Sequence, residues 1–455
     1  MDRPSALDLA FLDLETPQAP LHVGWTMRFA GTAPSPAALR RHLDARLDAV
    51  PRFRRRLVRP ALGAPYWVDD PGFAIARHVF AITLPAPGGA AQLRETAGAL
   101  LSRPLPPDQP LWRLYLVGGR EGFALVGQAH HVLVDGIAAL DVARLLFGPA
   151  TPRAPGNGWA PCAGPSPAAA ARQTLALRAR AATAAARDAA GCALRPGAGA
   201  TLRATARTLQ SVARPAPATA LDRSATRERV VGFGQVDLPA ARDAGRRHGA
   251  TVNDVLLTAS ALALRSVLGG RSDRPAALRA LIPVSVRAGG DPALGNRITF
   301  LPVELPCDEP DVVRTLERVA ANTRAAKAGG DAATLQALAR VADALPGPGR
   351  RAVTRAAARA VGFNLVISNV PGPPVALELL GRPLTAIHPM VPLLHGHALT
   401  IGAVSYAGRL HLGLAADAAV LPEVADVARG LERAFDALRL VGPVAPAPRQ
   451  RAANR

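Results

Sequence analysis

One stretch constrains this chain more than any other: Gln128-Ala129-His130-His131-Val132-Leu133-Val134-Asp135-Gly136. Ahead of it, Phe123, Leu125, Gly127 and Ala129 fall at the alternating positions of a strand. Behind it, Ile137, Leu140, Ala143 and Phe147 recur at helical spacing, and Gly148-Pro149 supplies a stop. Two imidazoles therefore stand at a strand end, with a carboxylate shortly after and a glycine where the backbone must turn sharply. Such a corner holds a base rather than merely filling a core.

The chain's 455 residues exceed one comfortable core, so two domains are expected. Basic residues outnumber acidic ones by 54 to 34, giving a net charge of +20, and Lys327 is the sole lysine. A GC-rich coding bias accounts for the choice of arginine over lysine, but not for the excess itself. That excess favours an anionic partner: a phospholipid surface, a CoA phosphate group or nucleic acid. No zinc-finger spacing, RNP-like aromatic motif or basic heptad array accompanies it, which ranks nucleic acid last. Cys162, Cys192 and Cys307 suggest neither a disulfide framework nor a metal cluster and fit a reducing cytosol. Met1–Ser5 lacks a signal-peptide layout, and no uninterrupted apolar run reaches the roughly 18–20 residues that span a bilayer. Any membrane contact is therefore expected to be peripheral.

Along the chain, a short apolar segment at residues 6–12 precedes a strand at 23–29. An amphipathic helix at 36–50 carries Leu39, Leu43, Leu47 and Val50 on one stripe. The arginine-rich run Arg52-Phe53-Arg54-Arg55-Arg56 reads as a solvated face. Residues 149–229 are rich in Pro, Ala, Gly and Arg, with helix-forming composition at 168–190 and 201–213. Their apolar face is mostly alanine, which favours a crossover between domains over a membrane anchor. Further strands are expected at 230–236, 280–287, 295–305 and 363–370. Helices are expected at 239–249, 251–268, 312–327 and 422–438, with a hairpin around 406–409. Asn253, at the start of a helix, reads as a cap, or as an amide donor beside an oxyanion.

Several of these motifs occur together in the order of one family. They are Leu-Asp-x-x-Phe-Leu, His-Val-Gly, Phe-Arg-Arg-Arg-Leu, Pro-Leu-Trp and the His-His-x-x-x-Asp-Gly motif. Val-Asn-Asp-Val, Pro-Val-Ser-Val-Arg, Gly-Asn-Arg and Asn-Leu-Val-x-Ser-Asn-Val-Pro-Gly-Pro follow. The chain thus resembles the bacterial wax ester synthase/diacylglycerol acyltransferases, within the superfamily of chloramphenicol acetyltransferase, from about residue 5 to about residue 440. The resemblance implies an α/β fold of two chloramphenicol-acetyltransferase-like domains with the active site in a tunnel at their interface. Residues 1–150 would form the N-terminal domain, 151–229 a helical crossover, 230–441 the C-terminal domain and 442–455 a disordered tail.

The implied reaction moves a fatty acyl group from acyl-CoA to a long-chain alcohol or diacylglycerol. It gives wax ester or triacylglycerol without an acyl-enzyme. Acyl-CoA enters as a co-substrate, and neither a resident cofactor nor a metal is expected. Histidine titrates near neutrality, so His131 is the candidate general base. Asp135 is expected to be a structural carboxylate paired with Arg287 or Arg297, Gly136 to permit the turn, and His130 to face away from the site. Asn253 is the candidate oxyanion donor. The resemblance marks Ser368, Asn369, Pro371 and Gly372 as substrate-binding. The expected setting is cytoplasmic, on the inner membrane or a lipid droplet, with homo-oligomers admitted. Two other readings keep the fold: a condensation-type enzyme taking its acyl group from a carrier protein, and a non-catalytic lipid-surface protein.

Overall fold

The structure, a computed structural model, describes residues 2–60, 63–120, 122–134, 136–149, 159–193, 215–224, 226–270, 275–285, 298–329, 342 and 345–441. The first half runs α1 (Ala6–Leu14), β1 (His22–Phe29), α2 (Pro36–Asp44), β2 (Arg55–Val58), β3 (Tyr66–Asp69), β4 (Val79–Thr83) and α3 (Ala90–Leu101). It continues with β5 (Trp112–Gly119), β6 (Gly122–His130), α4 (Gly136–Phe147) and α5 (Pro167–Ala193). The second half runs β7 (Arg229–Asp237), α6 (Leu238–Arg247), α7 (Val252–Gly269), β8 (Ala277–Ser285), β9 (Ile298–Pro306), α8 (Val312–Ala328) and α9 (Gly347–Ala360). It closes with β10 (Leu365–Val370), β11 (Glu378–Leu379), β12 (Arg382–Met390), β13 (Leu399–Tyr406), β14 (Arg409–Asp417) and α10 (Val424–Leu440).

Two mixed six-stranded sheets carry the fold, ordered β11-β12-β1-β6-β5-β4 and β7-β14-β13-β10-β8-β9. The expected two-sheet α/β architecture is therefore present. The two sheets, however, exchange strands. Strands β11 and β12 leave the second half and extend the first sheet, with Gly24 of β1 opposite Met390 of β12. The end of β12 then crosses the second sheet. A Cβ on Gly413 would stand 1.9 Å from the Pro389 carbonyl oxygen, so only glycine admits that crossing. A further seam lies where α3 meets β7: a Cβ on Gly98 would come within 2.5 Å of the Arg229 carbonyl oxygen.

Each sheet has its own core. Leu39, Leu43, Leu47 and Val50 are buried as one stripe, although α2 ends at Asp44 and a 3₁₀ turn at Leu47–Ala49 completes it. The residue before a proline avoids helical geometry, and Val50 precedes Pro51. In the second half, α7 is apolar on nearly every side and long enough to cross a membrane. It is instead a core helix, with Val255, Leu256, Leu257 and Leu264 fully buried.

The arginine run departs from its reading as a solvated face. Arg54 is 5% exposed, pairs with Asp44 and Asp48, and lies over the rings of Phe73 and Trp159. Arg52 and Arg55 both reach the carboxylate of Asp2. Acidic partners outside the run, Asp44 and Asp48 nearby and Asp2 at the start of the chain, convert it into a brace. Of the crossover, Pro167–Ala193 is helical, while residues 201–213 and the tail 442–455 lie outside the described residues.

Candidate active site

Strand β6 delivers the two histidines to the seam between the halves. It pairs with β1 along its length, His130 opposite His22, and the backbone N–H of His131 donates to the Leu21 carbonyl at 3.0 Å. Leu21 supplies that carbonyl from a left-handed conformation (φ 51°), which a branched side chain adopts only under constraint. The chain turns at once: the Leu133 N–H donates back to the His130 carbonyl at 2.8 Å, and Gly136 opens α4.

The two imidazoles then diverge. His130 Nδ1 accepts the Val132 N–H at 3.0 Å, which places the proton of the neutral ring on Nε2. That Nε2 stands 3.6 Å from the carboxylate of Glu15, which accepts a hydrogen bond from Arg59 at 3.1 Å. Burial alone would raise the Glu15 carboxyl, but His130 and Arg59 together hold it below its usual value. His22, packed edge-on against His130, is pushed down to about 3 by burial and by that neighbour. Both buried, His22 and His130 form a floor under the corner.

His131 turns the other way. Its ring stacks on Phe11 of α1, centroids 3.9 Å apart and planes 20° from parallel. It lines a cavity of about 340 Å³ together with Asn253, Ser368, Asn369 and Pro371. The walls come from both halves: Phe11, Leu21 and Val23 from the first, with residues of α7, β8, β9, α8 and β10 from the second. At the head of α7 the capping work falls to Thr251, whose hydroxyl accepts the Asp254 N–H while the Asp254 carboxylate accepts from the Thr251 N–H. Asn253 is therefore not the cap. Its amide, free of hydrogen bonds to the described residues, is left for the cavity.

The remaining candidates are placed as follows. Gly372 lies outside the cavity wall. It packs on β13, where its N–H donates to the Ser405 hydroxyl at 3.0 Å and a Cβ would meet the Ser405 carbonyl oxygen at 1.6 Å. Asp135, Arg287 and Arg297 lie outside the described residues.

Two apolar arms adjoin the cavity, each sharing wall residues with it. One, about 100 Å³, shares Val23, Ser368, Val370 and Val391 with it and runs along α4 past Ala139, Ala143 and Phe147. The other, about 160 Å³, shares Phe11, Phe300 and Leu394 with it and lies between α1 and α9. The second arm is braced by an ion pair that no local motif announced: Arg350 grips Asp13 with two hydrogen bonds of 2.7 and 3.1 Å, both side chains buried. Sequence reasoning also passed over Phe11, Glu15 and Leu21, and it noted Lys327 only as a compositional oddity although it too lines the cavity. Asp13, Phe11 and Glu15 acquire their roles from partners far along the chain.

Two-sheet molecules of this kind include peptide-synthetase condensation domains. The first condensation domain of the CDA synthetase superposes with a TM-score of 0.59 at 17% identity, over 97% of this chain and 98% of that one. At that identity the likeness concerns the fold. Family models go further: the wax ester synthase/diacylglycerol acyltransferase catalytic domain matches residues 5–256, and the WS/DGAT C-terminal domain matches residues 294–439. A probable diacylglycerol O-acyltransferase of Mycobacterium tuberculosis is 30% identical over 473 aligned positions, spanning 100% of this chain and 99% of the relative. The O-acyltransferase WSD of Acinetobacter baylyi is 28% identical, covering 94% of each. The wax ester synthase/diacylglycerol acyltransferase of Marinobacter aquaeolei superposes with a TM-score of 0.68 at 25% identity, over 96% of this chain and 99% of that one. The chain belongs to the wax ester synthase/diacylglycerol acyltransferase family, as its motifs indicated.

Proposed function

We propose that this protein is an acyl-CoA-dependent O-acyltransferase that esterifies a long-chain alcohol or diacylglycerol, with His131 as general base. One observation carries the reading: a buried histidine, an amide and a hydroxyl share one cavity, and two apolar arms adjoin it. Ester formation from a thioester needs a base to take the hydroxyl proton as the oxygen attacks, and help of this kind is worth roughly 10²–10⁴ in rate. His131 takes that proton and returns it to the departing thiolate. Asn253 donates to the oxyanion, a contact worth about 10²–10³. No resident cofactor enters the scheme.

The arms divide the two substrates. The narrow arm along α4, with Ser368 the only hydroxyl among its described wall residues, takes the single acyl chain. The wider arm, whose α1 wall is half-exposed, takes the acceptor. Beside it, Arg351, Arg355 and Arg359 recur at fourth positions on the exposed face of α9. That stripe would rest on anionic headgroups and set the arm against the phase where diacylglycerol resides. The docking is peripheral, on the cytoplasmic face of a membrane or on a lipid droplet.

Thiol release from palmitoyl-CoA, with hexadecanol or dioleoylglycerol as acceptor, tests the reading. His131→Ala is expected to fall by at least about 10² in kcat. Equal rates for both proteins reject the assignment of His131. Vesicle binding by wild type without turnover of any thioester rejects the enzyme reading.

A further inference from the structure

We infer that Lys327 receives the phosphate groups of the acyl donor, and so marks the side from which CoA enters. The inference rests on the acyl-CoA reading above and extends it to the part of the donor remote from the reacting carbon. The chain spells 54 basic residues, and all but this one are arginine. That single exception lies in the last turn of α8 and is one of the residues lining the central cavity. Its side chain is exposed, whereas His131 in the same wall is 7% exposed, so Lys327 stands at a mouth and His131 at depth. No carboxylate among the described residues pairs with it, in a molecule whose Arg52, Arg54, Arg55, Arg59 and Arg350 are all engaged.

The remaining walls assign the partner. Both arms are apolar, and among the described residues neither offers a cation that is not already held: Arg350, in the second arm, is bound to Asp13. Fatty chains fill arms of that character. The donor's polar end carries several phosphate charges and must leave by the third exit, where Lys327 supplies the counter-charge. An ammonium on a flexible four-carbon stem acts as a mobile point charge, suited to a diphosphate that shifts while its pantetheine arm threads inward. Thr323, one turn earlier on α8, lines the same wall but spends its hydroxyl on the Val319 carbonyl at 3.0 Å. It leaves the recognition of charge to Lys327.

The test compares donors that share the thioester and differ in phosphate: palmitoyl-CoA, palmitoyl-dephospho-CoA and palmitoyl-pantetheine, each with hexadecanol. Lys327→Ala is expected to raise KM for palmitoyl-CoA roughly tenfold, the low end for a charge-assisted contact left partly in water. The wild-type preference for palmitoyl-CoA over palmitoyl-pantetheine should shrink by the same factor, and Lys327→Arg should restore most of it. Added salt should weaken that preference in wild type and barely touch it in Lys327→Ala. A donor ratio unchanged by Lys327→Ala overturns the inference. So does an equal loss on all three donors, or a loss confined to binding of phosphatidylglycerol vesicles. Failure of wild type to use any of the three thioesters instead sinks the acyl-transfer reading, which keeps the two failures apart.

Discussion

Filling the narrow arm should shorten the acyl chain that the protein accepts. Ala143 faces that arm from α4 and lines neither the central cavity nor the second arm, so Ala143→Phe obstructs one substrate without touching His131. The arm holds only about 100 Å³ of free space, so a benzyl group cannot be absorbed beside a full-length chain. It displaces roughly four methylenes, and at about 0.8 kcal/mol for each one buried the bound donor loses about 3 kcal/mol. That corresponds to a fall of roughly 200-fold in kcat/KM for palmitoyl-CoA. Octanoyl-CoA, eight carbons shorter, should lose less than about threefold. The assay is thiol release with hexadecanol across acyl donors of increasing length, with thermal unfolding run alongside, since overpacking elsewhere costs about 1–3 kcal/mol of stability. A uniform loss at every length would mean that the substitution damaged the fold rather than the arm. An unchanged palmitoyl-CoA rate in a folded variant would place the acyl chain elsewhere and refute the division of the arms.

Further expectations follow from other parts of the site. Asn253→Ala should lower kcat by about 10²–10³ with little change in KM, because the proposed oxyanion contact forms only in the transition state and Thr251 already caps α7; an unaltered kcat would remove it from the mechanism. Asp13→Ala leaves Arg350 buried without its partner and should cost about 3–5 kcal/mol in urea unfolding, whereas replacing both by apolar residues should recover much of that loss. His22 and His388 are both pushed down to about 3 by burial, so the unfolded chain binds protons that the folded one refuses below pH 6.5. Stability should hold above that pH and decline from 6.5 towards 3, by about 1.4 kcal/mol per pH unit for each proton. His388→Phe should flatten the decline, as followed by melting temperature against pH. Gly413→Ala, whose added methyl would collide with the Pro389 backbone, should yield little folded protein in an expression and melting assay.

What could be read from the sequence and what could not divides along contact distance. The turn at His131, the amide at Asn253 and the run through Ser368 and Pro371 announce themselves through local pattern, because a strand end, a helix start and a strand-to-loop transition each leave a short signature. Their meeting in one wall is a long-range fact, and the family resemblance rather than any periodicity anticipated it. The strand exchange is hidden for the same reason: β12 alternates like any strand, and nothing in Arg382–Met390 records that its neighbour is β1 rather than β13. Only Gly402 and Gly413, bare where Pro389 crosses them, hint at the crossing, and a glycine within a strand has many other causes. That swapped segment also shapes the site. Pro389 and Met390 line the narrow arm, and Val391, the next residue on, belongs to both that arm and the central cavity. A chain that kept its second half to its own sheet would have no wall there. The exchange of β12 is therefore what closes the narrow arm, and the proposed division of labour between the arms depends on it.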